Sequence, residues 1–155
     1  FVDLVGSTEL AEKESPSEVV KRLNDFFGVV VEVVEDNGGA INKFEGDAAL
    51  AVFGAPTGLD DDAGCALRAA RTLSHRLADE LDDLRAGIGV SAGEAVAGNI
   101  GDTRRYEYTV IGDPVNEASR LCELAKLRPE RVVASDAAIQ RADPREAAVR
   151  RAGSA

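Results

Sequence analysis

The order in which the hydrophobic pattern changes period along the first half of the chain constrains its fold most. Phe1-Val2-Asp3-Leu4-Val5 is a short apolar, β-rich run closed by the polar turn Gly6-Ser7-Thr8. Ser15-Pro16-Ser17-Glu18 then forms a capping box with proline at the first helical position. Val19, Val20, Leu23, Phe26, Phe27, Val30, Val31 and Val34 follow at helical spacing, predicting a long helix that stops at Gly38-Gly39. The runs 40–44 and 49–53 read as strands, and Glu45-Gly46-Asp47 between them is short enough to make an antiparallel hairpin. A second helix begins near the acidic run Asp60-Asp61-Asp62, which suits a helix N-terminus, and carries Leu67, Ala70, Leu73, Leu77 and Leu81. Residues 87–93 form another strand, whose glycines miss the dinucleotide fingerprint and point to close backbone packing. Strand, helix, strand, strand, helix, strand is the order of a ferredoxin-like βαββαβ domain of the α+β class.

Additional elements follow. Tyr106 to Ile111 predicts a strand, and Asp113 as N-cap with Pro114 behind it starts a helix that runs to Lys126. Residues 131–134 and 137–142 suggest one more short strand and a helix, while the Ala- and Arg-rich tail beyond Pro144 has no clear pattern. With 155 residues the chain is sized for one domain spanning 1–155. The lack of methionine and the abrupt opening on a strand point to a piece of a longer protein, whose membrane or sensor parts would lie outside it.

Charge narrows the partners. A net charge of −10 argues against nucleic acid, and a polyanionic substrate would need divalent metal and a few local cations to draw it in. Cys65 and Cys122 stand far apart without ligand spacing, so they read as buried thiols in a reducing compartment. No apolar run is long enough to span a bilayer, and a cytoplasmic location with no direct membrane contact is expected for this segment. His75, the only histidine, has no partner in the sequence that would make it catalytic.

Two aspartates stand out. Asp3 interrupts a strand that should be buried, where an unpaired carboxylate is costly unless a cation meets it. Asp47 sits at the hairpin tip that the ferredoxin-like order places beside that strand. Paired carboxylates at a strand end suit Mg²⁺ or Mn²⁺ held together with substrate phosphates. Asn116 and Arg120, four residues apart, share one face near the positive end of their helix, a geometry suited to an anion.

Three blocks then occur in order: Phe1 to Thr8; Gly38-Gly39 through Lys43-Phe44-Glu45-Gly46-Asp47 to Gly54; and Tyr108-Thr109-Val110-Ile111-Gly112-Asp113-Pro114-Val115-Asn116-Glu117-Ala118-Ser119-Arg120-Leu121. Together they resemble the class III nucleotidyl cyclase catalytic domain, with the flavour of mycobacterial and other actinobacterial adenylyl cyclases. The resemblance implies that Asp3 and Asp47, helped by the backbone carbonyl of Leu4, hold two ions, Mg²⁺ or Mn²⁺, with Gly6, Ser7 and Thr8 close to the triphosphate. It further implies that the ribose 3′-hydroxyl of ATP attacks the α-phosphorus, giving cyclic AMP and pyrophosphate. Asn116 would orient the ribose, Arg120 would stabilise charge on phosphorus, and Lys43 and Thr109 would read the base. Lysine only donates, which fits adenine N1 and conflicts with the N1 proton of guanine. Thr109, where many adenylyl cyclases carry aspartate, leaves guanylyl or dual specificity as an alternative; a non-catalytic nucleotide-sensing dimerisation module is another. The family builds its sites between two head-to-tail domains, so a homodimer is implied. The sequence shows no final hairpin with the basic residue that binds triphosphate in relatives.

Overall fold

A computed structural model describes residues 1–81 and 83–151. Its centre is a five-stranded sheet ordered β2-β3-β1-β4-β7, with β1 Val2–Leu4, β2 Ala40–Glu45, β3 Ala48–Val52, β4 Ala86–Val90 and β7 Val132–Ala134. β1 lies between β3 and β4 and is antiparallel to both; β7 adds parallel to β4. The first four strands have the expected βαββαβ topology, and β7 extends it.

Two helices cover one face. α2, Pro16–Asp36, starts where the Ser15 hydroxyl accepts the Glu18 amide at 3.3 Å. It ends where the Asn37 side chain donates to the Val33 carbonyl at 2.8 Å and Gly38 turns left-handed at φ 80°. α3, Asp62–Glu80, starts where the Asp61 carboxylate accepts the Gly64 amide at 2.9 Å. Phe26, Val30, Val33 and Val34 of α2 meet Leu67, Leu73 and Leu77 of α3 over Val2, Leu4, Ala49 and Ile88 of the sheet. Burial of such side chains contributes roughly 1.5–3 kcal/mol each before conformational entropy is counted.

The other face carries α4, Asp113–Lys126, pressed against β4. The expected close packing is borne out: a Cβ on Gly89 would lie 2.1 Å from the Ala118 carbonyl oxygen, and one on Gly87 would lie 2.5 Å from that of Cys122. Ala118, Cys122 and Ala125 form the buried stripe of α4. The Cys122 thiol donates to the Gly87 carbonyl at 3.1 Å, and burial pushes its pKa up to about 11, so it is inert at neutral pH.

Several elements differ from expectation. α1, Ser7–Lys13, follows β1 where only a turn was expected. β5, Val96–Asp102, was not foreseen; it pairs with β6, Arg105–Ile111, in a separate antiparallel ribbon. Gly112, at φ 155°, is the N-cap of α4, making Asp113 its first residue rather than its cap. After β7 come α5, Asp136–Arg141, and α6, Pro144–Arg151, the latter in the tail that had no readable pattern. Ion pairs tie both to α3: Arg141 to Asp62 at 2.9 Å, and Arg68 and Arg71 to Glu146, the first at 2.8 Å. Among the described residues no strand follows β7.

Candidate active site

Strand register decides what the second sheet face presents. Asp3 stands opposite Ala48 on one side and Gly87 on the other, so its side chain shares the face that α4 covers. On β2 the register shifts between Ile41 and Lys43, and this bulge at Asn42 places Lys43 opposite Leu50. Ala48 and Leu50 are two apart on β3, so Lys43 and Asp3 project to the same side. Phe44 projects to the other side and packs on Phe27 of α2, with ring centroids 4.4 Å apart.

The hairpin brings the two candidate metal aspartates together. Gly46, left-handed at φ 62°, makes the tight turn after β2, and the Leu4 amide donates to the Asp47 carbonyl at 3.4 Å. Burial raises the Asp3 pKa above the ordinary carboxylate range; Lys126 opposes the shift, and the charge of Asp47 adds to it. One oxygen of Asp3, Oδ1, is buried with no hydrogen-bond partner. The other, Oδ2, accepts from Lys126 Nζ at 2.6 Å, and the same ammonium reaches Glu123 at 2.7 Å. Lys126, Glu123 and Glu45 were not among the expected site residues. Nothing local in the sequence marks Lys126, which meets Asp3 only because α4 folds back over the sheet.

Two neighbouring carboxylates and the Leu4 backbone are a donor set for a hard divalent cation, and the orphaned Oδ1 is an oxygen that such an ion would satisfy. Among the described residues no third His, Cys, Asp or Glu joins them, so an ion here would complete its shell with water and substrate oxygens. Gly6, left-handed at φ 73°, starts α1 beside this pole, and no side chain caps the amides of Ser7 and Thr8.

The strands that carry Lys43 and Thr109 are joined. The Asn42 amide donates to the Tyr108 carbonyl at 3.2 Å, tying the residues that precede them and fixing the ribbon to β2. Lys43 pairs with Glu45 at 2.8 Å in the partly exposed surface there. Asn116 and Arg120 do not join the acidic pole. They lie on the side of α4 opposite Ala118 and Cys122 and are exposed, as are Leu124 and Leu127 beyond them. Glu117 between them bonds the Ser91 hydroxyl at the end of β4, which fixes the rotation of the helix. An apolar cavity of about 180 Å³, lined by residues such as Leu50, Phe53, Leu73, Val110 and Pro114, contains none of the candidate residues.

Comparison with known proteins matches this geometry to a family. The model of the adenylate and guanylate cyclase catalytic domain matches residues 1–153. An uncharacterized protein of Mycobacterium tuberculosis is 54% identical over 148 residues, which are 96% of this chain and 28% of that protein. A Mycobacterium bovis protein, also uncharacterized, matches to the same extent. The chain thus spans little more than a quarter of the length of these curated relatives. Among solved structures, a bacterial light-regulated adenylyl cyclase aligns with a TM-score of 0.84 at 26% identity, over 92% of this chain and 43% of that one. The adenylyl cyclase CyaB from P. aeruginosa gives 0.82 at 26% identity, over 90% and 76%. A guanylyl cyclase gives 0.73 at 35% identity, over 92% and 75%. With its palm-like sheet, its aspartate-bearing hairpin and a match over residues 1–153, the chain belongs to the family of adenylate and guanylate cyclase catalytic domains.

Proposed function

We propose that this domain converts ATP to 3′,5′-cyclic AMP and pyrophosphate at a site completed by a second copy of the chain. The observation that carries the reading is the meeting of Asp3 and Asp47 at the end of β1, with a buried carboxylate oxygen left without a partner. Asp3, Asp47 and the Leu4 carbonyl would hold two divalent ions, Mg²⁺ or Mn²⁺. When bound, such ions supply Lewis acidity toward the sugar hydroxyl and charge neutralisation toward the phosphates. The start of α1 at Gly6, Ser7 and Thr8 offers backbone amides to the triphosphate. In-line displacement by the 3′-oxygen needs alignment and field more than a protein nucleophile, which agrees with His75 standing exposed on α3.

Base choice rests on Lys43, whose ammonium donates to the unprotonated N1 of adenine and meets a like donor in guanine. The mismatch costs about 1–3 kcal/mol, or roughly ten- to a hundredfold. Thr109 can accept from the adenine amine or donate to a guanine carbonyl, and this is what favours a second reading with some use of GTP.

A head-to-tail homodimer is supported by the outward placement of Asn116 and Arg120, which in one chain stand on the wrong side of α4 to reach Asp3. The ribbon beside them exposes Val96, Ile100, Tyr106, Tyr108 and Ile111, apolar area of the kind an interface covers. In the partner's site Asn116 would orient the ribose and Arg120 would meet the charge on phosphorus. We place the domain in the cytoplasm as one module of a longer protein; no helix among the described residues is long and apolar enough to cross a membrane.

The test is product analysis with purified protein, Mn²⁺ and either ATP or GTP. Cyclic AMP from ATP is expected, and Asp47→Ala should reduce it to background. Undiminished turnover in that variant would reject the metal assignment, and nucleotide binding without product in the unaltered chain would favour the non-catalytic module.

A further inference from the structure

Lys126 is a partly buried cation that the proposed reaction does not use, and its position is built rather than incidental. It lies in the last turn of α4, and its stem crosses β4 to reach Asp3 on the next strand. The crossing is possible because β4 carries glycine at that point: a Cβ on Gly87, the residue paired with Asp3, would lie 2.6 Å from Lys126 Cγ. Both side chains of the pair are 19% exposed. Glu123, the second partner of the ammonium, is 65% exposed and sits one turn earlier on the same helix. The end of α4 does not depend on the ammonium, since the Lys126 carbonyl accepts from Arg131 Nη1 at 2.9 Å.

On the reading that Asp3 and Asp47 form a metal site, we infer that Lys126 is the resident counter-ion of Asp3, which a divalent cation must displace toward Glu123 in order to bind. The physical reason is competition for one carboxylate. Asp3 is neutralised by the ammonium while the site is empty, which lowers the cost of keeping two acids side by side. An incoming dication must give up hydration and also break the Lys126 bond, then share its surroundings with a like charge. Glu123 gives the released ammonium a partner in solvent, so displacement does not strand a buried cation. Lys126 thereby sets a threshold concentration of metal below which the acidic pole stays closed.

The experiment is a nucleotide-free Mn²⁺ titration of the purified chain, with free Mn²⁺ read by its electron paramagnetic resonance signal. Lys126→Met keeps the aliphatic stem over Gly87 and removes only the charge; circular dichroism checks that it folds. It should bind Mn²⁺ about ten- to a hundredfold more tightly than the unaltered chain. Lys126→Arg keeps the cation and should bind as weakly as the unaltered chain, and Asp3→Asn added to Lys126→Met should abolish the gain. Melting gives an independent readout: in chelator the Lys126→Met chain should melt below the unaltered one, and Mn²⁺ should raise its Tm by more. Mn²⁺ binding that is unchanged or weaker in folded Lys126→Met would overturn the counter-ion role while leaving the metal site standing. No Mn²⁺ binding at millimolar concentration by either chain would overturn both.

Discussion

The two sides of α4 are in opposite conditions. Toward the sheet, Ala118, Cys122 and Ala125 are buried, and at the end of that side Lys126 closes an ion pair with Asp3. Away from the sheet, Asn116 and Arg120 stand in solvent beside exposed Leu124 and Leu127. The inner side is tightly packed: the Cys122 thiol and the Lys126 ammonium are paired, and its backbone approaches β4 as closely as two glycines allow. The outer side presents a cation and an amide whose side chains have no hydrogen-bond partner among the described residues. Within one chain the acidic pole and the pair Asn116 and Arg120 lie on opposite sides of α4, so on the proposed reading the outer side of one copy would face the acidic pole of another.

The largest effects should come from breaking the two sides in different chains. Arg120→Ala alone should lose on the order of 10² to 10³ in turnover, as removal of a transition-state donor does elsewhere. Asp47→Ala alone should be inactive. Mixing the two should restore activity, because one of the two shared sites in each mixed dimer then holds both Asp47 and Arg120. Absence of rescue from folded chains that associate, checked by sedimentation, would remove the division between an inner and an outer function.

The proposed base-reading residue Lys43 lies apart from both sides, on the bulged edge strand β2, and its change should be intermediate. Lys43→Glu should lower the ratio of ATP to GTP use by about ten- to a hundredfold; an unchanged ratio in competition assays would detach Lys43 from the site. The inner side can be tested by stability alone. Gly89→Ala puts a Cβ against the backbone of Ala118 and Cys122, atoms that cannot swing aside, and should cost about 1–3 kcal/mol, seen as a fall of several degrees in Tm. A neutral result would mean that α4 rides more loosely on β4 than the packing indicates.

The smallest effect belongs to the Glu146 clamp. Burial pushes the Glu146 pKa up, but hydrogen bonds from Arg71 and Arg68 outweigh it and hold it below the ordinary value of 4.5. A carboxylate with a depressed folded-state pKa stabilises fully above its unfolded value and loses that contribution as pH falls through the folded one. Melting followed downward from pH 5 should therefore show a decrement under about 1 kcal/mol that Glu146→Gln removes, with α4 and its two sides unaffected.

How much of this was legible varies by element, for physical reasons. The long helix α2 announced itself through its cap, its apolar period and its glycine stop, all signals within a few residues. The meeting of Asp3 and Asp47 could be anticipated because a short hairpin and the ferredoxin-like order leave β3 one place to pair. The glycines of β4 were readable as a close approach, though not the element that approaches. β5 escaped because Val96-Ala97-Gly98-Asn99-Ile100-Gly101 is glycine-rich and has little β propensity of its own; its ladder with β6 supplies what the side chains do not. α1 escaped because glycine, serine and threonine at its start read equally as a turn. α6 is held by Arg68 and Arg71, far back on α3, and no local pattern encodes that clamp.

The sequence alone determined the order of the βαββαβ core, the approach of the two aspartates and the family, because each depends on local period, short turns or motifs that survive without knowledge of packing. Tertiary structure decided that Lys126 lies against Asp3 across 123 positions of chain, and that Asn116 and Arg120 turn outward. Those outcomes depend on which side of α4 meets the glycines of β4. The helix sequence offers several faces, and only burial against the sheet selects one.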